Sequence, residues 1–297
     1  MKLPFLERFR RKPRKTVFVA FTVDVDRDAA EAKKGRVEGL TNTPTGMIEP
    51  RFENSAKGFF ELVGLLNEMK IPATFFVEGE TARKLREKAK KNPLALENHE
   101  FGVHGLQHED YTGKKTGVKL SEMEIDRNLA AAITAVSLTF GIQPKGFRAP
   151  YVNLDSNAKA LELVGKHFKY DSSFYGNALE RHDSGLHRIP VAAGTDARGR
   201  TMQGYLWKLM EGTRDADEYV DFVRREIENG GSVIVLGTHS WHHNCSPTKG
   251  RFSEREASEN LEKVKRVLAG IRKIKIPGVK VQFATLSGVL KAGGKAL

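Results

Sequence analysis

The sequence contains a single cysteine, Cys245, so no intramolecular disulfide can form and a disulfide-stapled secreted scaffold is excluded. No window approaches the roughly 18 consecutive apolar residues of a membrane-spanning helix. The opening segment is basic but lacks a long apolar run and a small-residue cleavage site, so no cleaved signal peptide is expected. Internal repeats and linker-like stretches are also missing. That leaves 297 residues for one large α/β domain with ample length for a core. These absences together suit a reducing, cytoplasmic setting.

The net charge is +12, and its distribution is uneven. Lys2, Arg8, Arg10, Arg11, Lys12, Arg14 and Lys15 face only Glu7 within residues 1–15, which accounts for half of the excess. Leu3, Phe5, Leu6 and Phe9 are interspersed among them. Such a segment suits peripheral contact with an anionic membrane on the inner face, where each cation contributes about 1 kcal/mol. The plainer alternative is a solvated terminus. The chain therefore divides into a basic tail, 1–15, and a folded domain, 16–297. Nucleic acid is not an expected partner, because there is no recognition motif and no basic stripe interleaved with aromatics.

Strand and helix signals alternate along the rest. Residues 16–25 and 73–77 read as buried strands, and a further strand leads into His104. Residues 27–53 are polar and read as a long substrate-side loop. Apolar spacing through Phe59, Leu62, Val63, Leu66 and Met69 predicts a helix over 54–70, and a charged helix follows over 81–91. Ser121 with Glu124, and Ser253 with Glu256, are capping boxes that open two more helices. Further helices are expected over 156–167 and 215–229, with strands ending at Arg148 and over 169–173, 187–191, 232–236 and 279–286. Residues 193–213 read as irregular. This alternation predicts a mostly parallel sheet of seven or eight strand units, fitting a single closed or distorted (β/α) barrel with the site at the carboxyl ends of the strands.

The polar residues cluster at those ends. His104 and His108, four apart across Gly105, can converge on one divalent ion, and Asp24 and Asp26 stand two apart at the end of the first strand. Alternation along a strand gives the two carboxylates one face, so one can bind metal while the other acts as general base. Two histidines and one carboxylate leave coordination positions open for water and substrate. Arg148-Ala149-Pro150-Tyr151 offers a guanidinium for a bidentate contact to a catalytic carboxylate and a backbone N–H at Tyr151 for an oxyanion. Of His239, His242 and His243, His239 is nearest its strand end and suits a general acid; the other two read as loop residues or a second metal site. Trp241 reads as a sugar-stacking wall or a packed core residue.

In this order the pieces resemble the polysaccharide deacetylase family, carbohydrate esterase family 4. The resemblance rests on Thr22-Val23-Asp24-Val25-Asp26, His104-Gly105-Leu106-Gln107-His108, Arg148-Ala149-Pro150-Tyr151 and Leu236-Gly237-Thr238-His239, and it spans about residues 17–290. The segments Pro72-Ala73-Thr74-Phe75-Phe76 and Phe283-Ala284-Thr285-Leu286 support it. It implies a distorted (β/α) barrel of about seven strands, with Asp24 as general base and Asp26, His104 and His108 as metal ligands. It further implies His239 as general acid, Arg148 as the residue orienting Asp24, and Tyr151 N–H as the oxyanion donor. Pro150, Leu236 and Trp241 would face substrate, with Leu236 lining the acyl pocket. The spaced Asp-Val-Asp, in place of adjacent aspartates, resembles a branch that includes intracellular-type and allantoinase-like amide hydrolases. Gly105 and Thr238 also depart from the usual pattern, and Asp171 and Asp196 are the candidates for the carboxylate that tunes His239.

The resemblance implies a metal-dependent deacetylase acting on an N-acylated carbohydrate. The ion would be zinc foremost, with nickel, cobalt or ferrous iron suiting the same donors. A lipid-linked sugar precursor fits an intracellular enzyme with a basic tail. The alternatives are an allantoinase-like ureide amidohydrolase and a non-catalytic carbohydrate-binding or membrane-associated module.

Overall fold

The structure, a computed structural model, describes residues 15–91 and 96–293. The basic tail, apart from Lys15, lies outside the described residues. At the centre is the strand Lys15–Val25, which carries partners on both edges. Along one edge it pairs in parallel with Val233–His239, with Asp24 opposite His239. Along the other it pairs first with Val279–Phe283 and then, from Phe21 onward, with Ala73–Val77. The sheet continues in parallel through Glu100–Val103, Gly146–Phe147, Tyr170–Asp171 and His187–Arg188.

The two strands after Phe147 are interrupted and resume one step on, as Tyr175–Gly176 paired with Val191–Thr195. Residues 204–206 then bridge this edge back to Val233–His239. Gly204 N–H donates to Ala192 O at 2.7 Å, Gly237 N–H to Gly204 O at 3.0 Å, and Leu206 N–H to Gly237 O at 2.7 Å. The sheet thus curls into the expected distorted barrel.

The parity of the first strand explains how it positions chemistry. Val17, Val19, Phe21, Val23 and Val25 pack outward against the helices, in a cluster with Phe59, Leu62 and Leu66 of the helix Glu53–Met69. Ala20 belongs instead to the inner cluster with Phe76, Tyr170 and Val235. Thr22 and Asp24 share Ala20's parity and so point into the barrel. Phe59, Phe75, Phe101 and Phe140 tie helices to sheet, with Phe101 and Phe140 stacked at 4.1 Å. Helix ends follow their sequence signals. Both capping boxes form, and Gly141 closes the helix Glu122–Phe140 in the left-handed region at φ 68°.

Three expectations change. Residues 27–53 contain a small antiparallel sheet, Ala30–Glu31, Leu40–Thr43 and Gly46–Ile48, with too few residues per strand to leave a periodic signal. Residues 193–213 contain the end of one strand, the strand Thr201–Gln203 and a helical turn, Trp207–Met210. The last strand stops at Phe283, and Leu286 opens the helix Leu286–Gly293. Its N–H donates to Thr74 Oγ1 at 3.0 Å, an anchor between elements that a local pattern does not carry. No helix among the described residues is long and apolar enough to cross a membrane.

Candidate metal centre and active site

Each residue of the run 24–28 has a distinct place. Asp24 and Asp26 are both about 1% exposed and turn inward. Arg27 turns the other way to meet Glu78 in a fully buried pair. Asp28 caps a helix that starts 25 residues later, its Oδ1 accepting from Ser55 N–H at 2.6 Å and its Oδ2 from Asn54 N–H at 3.0 Å. The acidic cluster therefore resolves into two site carboxylates and one structural cap.

His104 follows the strand Glu100–Val103, its N–H donating to Val77 O at 2.9 Å. The return to His108 needs two left-handed residues, Gly105 at φ 75° and His108 at φ 58°. Buried Glu109 clips the turn by accepting from Leu106 and Gln107 N–H. A Cβ at residue 105 would stand 2.9 Å from that carboxylate, so glycine is required for space as well as for φ. The donor atoms of Asp26, His104 and His108 lie within 4.8 Å of one another. His104 Nδ1 is 2.8 Å from Arg148 O, and a carbonyl only accepts. The proton is therefore on Nδ1, and Nε2 keeps its lone pair for an ion. His108 Nε2 lies 3.1 Å from Asp26 Oδ2, a spacing suited to two ligands on one ion. Burial holds both histidines below their ordinary pKa, His108 at about 3 with Arg27 adding to the effect, so both are neutral and able to ligate. The donor set thus fits a divalent cation. Among the described residues it is the group of this kind that comes together.

Asp24 sits behind it. Burial raises its pKa, but Arg148, His104, His239 and a hydrogen bond from Tyr205 outweigh burial and hold it below the usual carboxylate range. Asp26 is instead pushed up to about 6, burial outweighing His239 and His104 while the Asp24 charge adds to the rise. The fully buried Arg148 meets Asp24 through Nη1 alone, at 2.9 Å, and not as a bidentate fork. Its other donors go to Thr22 Oγ1, Ser172 O and Ser172 Oγ, because the guanidinium also holds neighbouring strands together. Asp24 Oδ2 is taken by the hydroxyl of Tyr205. No motif in the sequence marks Tyr205. It lies on the bridging segment 204–206, which has no regular pattern, and the barrel curls to bring it in.

His239 closes the site, enclosed by the rings of Tyr205, Trp207 and Trp241 at 5.0–5.6 Å. Burial lowers its pKa to about 4 despite Asp26 and Asp24, and its Nδ1 has no hydrogen-bond partner. Neither proposed tuning carboxylate reaches it. Asp171 engages Ser173 and Arg188, and Asp196 engages Arg200 and Arg214. Trp241 is packed, about 1% exposed, and donates from Nε1 to Asp26 Oδ1 at 3.0 Å. It therefore fixes Asp26, a candidate ligand, more than it forms a stacking wall, although its edge still lines the cavity. His242 and His243 bond to Glu211 and Glu61, each at 2.9 Å, and anchor their loop.

The cavity above these groups measures about 660 Å³ and is lined by Asp24, His104, His108, Tyr151, Tyr205 and His239, with Tyr175, Trp207 and Trp241 as aromatic walls. Leu236 is not in that lining. It has the opposite parity to Val235 and His239 and packs outward with the helix-side core, which leaves it outside the pocket role that the resemblance implies. Pro150 is buried against the Gly105 turn and also lies outside the lining. Tyr151 and Val152 adopt φ of 62° and 50°, a left-handed turn costing on the order of 1–3 kcal/mol per residue.

Residues 43–168 match the polysaccharide deacetylase family profile, a stretch that includes His104, His108 and Arg148 to Tyr151. Over that stretch, which is less than half of its length, the chain is similar to the polysaccharide deacetylase family. The barrel is that of solved structures assigned to these deacetylases. A Mycobacterium smegmatis protein is 21% identical over 95% of this chain and 91% of its own, with a TM-score of 0.61. One from Pseudomonas aeruginosa PAO1 is 15% identical over 96% and 92%, with a TM-score of 0.64. Puue allantoinase shares the fold as well, 12% identical over 97% and 93% with a TM-score of 0.63. The uncharacterized protein YlxY of Bacillus subtilis strain 168 is 31% identical over 90 residues, 30% of this chain; the match spans 26% of that relative's length.

Proposed function

We propose that this chain is a metal-dependent N-deacylase, hydrolysing the amide of an N-acetylated sugar or glycan. The observation that carries the reading is the buried, ionised Asp24 beside the Asp26–His104–His108 donor set in one open cavity. A divalent cation held by those three residues, zinc foremost, would supply Lewis-acid polarisation of the acyl carbonyl and acidify the attacking water. Asp24 takes the proton from that water, held charged and aimed by Arg148 and Tyr205. The Tyr151 N–H, in its left-handed turn, donates to the oxyanion. His239 enters neutral, receives the proton that Asp24 took from the water and passes it to the departing nitrogen as the carbon–nitrogen bond breaks, so amine and acyl acid leave and Asp24 is again charged. Tyr175 and Trp207 offer faces for sugar rings.

A lipid-linked N-acyl sugar, met through residues 1–15 at an anionic membrane, is the finer form of this proposal. The test is to incubate metal-loaded protein with N-acetylated oligosaccharides and, separately, with a cyclic ureide. Release of acetate from the sugar supports the deacylase. Ring opening of the ureide without acetate release would move the site to the allantoinase-like reading.

A further inference from the structure

The mouth of the cavity is cationic, because the two loops that frame it commit their acids elsewhere. In the loop after His108, Glu109 is fully buried and spent on Leu106 N–H, Gln107 N–H and the Tyr111 hydroxyl. Asp110 accepts from the N–H groups of Thr112, Lys115 and Thr116. Neither carboxylate is left for Lys114 or Lys115, both exposed and both lining the cavity. On the facing loop Glu38 pairs with Arg36, and Lys34 lines the cavity. Gly35 N–H donates to Thr116 O at 2.9 Å and Lys34 Nζ to Lys114 O at 3.5 Å, which joins the two loops into one rim. Against these three ammonium groups the described lining residues include one further acid besides Asp24, namely Glu31.

The rim is close to the chemistry. Lys115 Nζ lies 5.1 Å from the Tyr151 ring centre, and that ring lies 4.7 Å from the His108 ring. We propose that Lys34, Lys114 and Lys115 form a subsite for a phosphate group carried by the N-acyl sugar, a proposal that rests on the deacylase reading of the cavity. Separate ammonium point charges, with no arginine fork among them, suit a phosphate's several oxygens better than the planar pair of a carboxylate.

The test compares kcat/KM for a phosphorylated N-acetyl sugar and its neutral counterpart. The parent favours the phosphorylated form, and Lys114→Gln/Lys115→Gln reduces that preference about tenfold, through KM and not kcat. The remote pair Lys273→Gln/Lys275→Gln, with the same loss of charge, keeps it. Equal kcat/KM for both sugars in the parent, or equal effects of the two double variants, overturns the subsite while leaving the deacylase intact. Presenting the phosphate on a lipid in vesicles or on a soluble sugar identifies its source, and a preference for either upholds the subsite. Should neither sugar be hydrolysed, calorimetric binding of the phosphorylated sugar decides. Binding lost in Lys114→Gln/Lys115→Gln upholds the subsite although the deacylase reading fails, and no binding to the parent overturns both.

Discussion

Replacing Tyr205 with phenylalanine removes one oxygen from the centre of the site. That hydroxyl donates to Asp24 Oδ2 and accepts from Arg148 Nη1 at 3.2 Å, and the residue is 7% exposed. The ring stays, and with it the packing on Gly237, so folding should hardly change. A hydrogen bond to a buried charge is worth roughly 1.5–3 kcal/mol, which corresponds to a fall in kcat/KM on the order of 10- to 100-fold. The sign of the pH effect follows from the charges. Burial raises the Asp24 pKa, while Arg148, His104, His239 and Tyr205 bring it below its ordinary value. Deleting one of the lowering partners raises it, so the acid limb of kcat/KM moves to higher pH. The assay is a pH–rate profile of acetate release by parent and Tyr205→Phe, with metal content and melting temperature measured on the same samples. An unchanged kcat/KM with an unmoved acid limb would refute Asp24 as a base supported by Tyr205.

Trp241→Phe removes the donor to Asp26 Oδ1 and should weaken metal binding by about 10- to 100-fold, measured by competition with a chromogenic chelator; equal affinity would contradict this positioning role. Gly58→Ala would put a Cβ 1.8 Å from Ser240 O and 2.7 Å from His243 Cε1, forcing the helix away from the loop. We expect a loss of about 3 kcal/mol in urea unfolding, and a loss too small to measure would show that the helix has room to move. For Glu61, burial opposes ionisation, but hydrogen bonds from His243, Asn244 and Lys57 win and lower its pKa to about 2 from 4.5. Its contribution to stability is present above the unfolded value and lost as pH falls through that window. The deficit of Glu61→Gln should therefore be larger at pH 7 than at pH 3, and a pH-independent deficit would contradict it.

The candidate site is legible in the sequence where polar residues coincide with strand ends. Asp24, Asp26, His104, His108, Arg148 and His239 follow short apolar runs, and strand alternation gives the aspartates one face. What stayed hidden depends on contacts between distant segments. Tyr205 arrives on a bridge that exists only because the barrel curls, and Asp28 caps a helix across an intervening small sheet. Leu236 does not take the pocket role that the resemblance implies, because it stands three residues before His239 and strand alternation puts the two on opposite faces. The strand is apolar on both faces, so its composition does not set the carried-over role apart from a core position. Trp241 shows the same limit from the other side, since a tryptophan near a site is equally suited to stacking on substrate or to holding a ligand by its N–H.

The most direct test of the account is the metal content per chain of purified protein by mass spectrometry, measured beside a His104→Ala/His108→Ala variant. Close to one divalent ion per parent chain and negligible metal in the variant is the expected result. Negligible metal in both, even after incubation with zinc or cobalt, would contradict the centre on which the proposed chemistry depends.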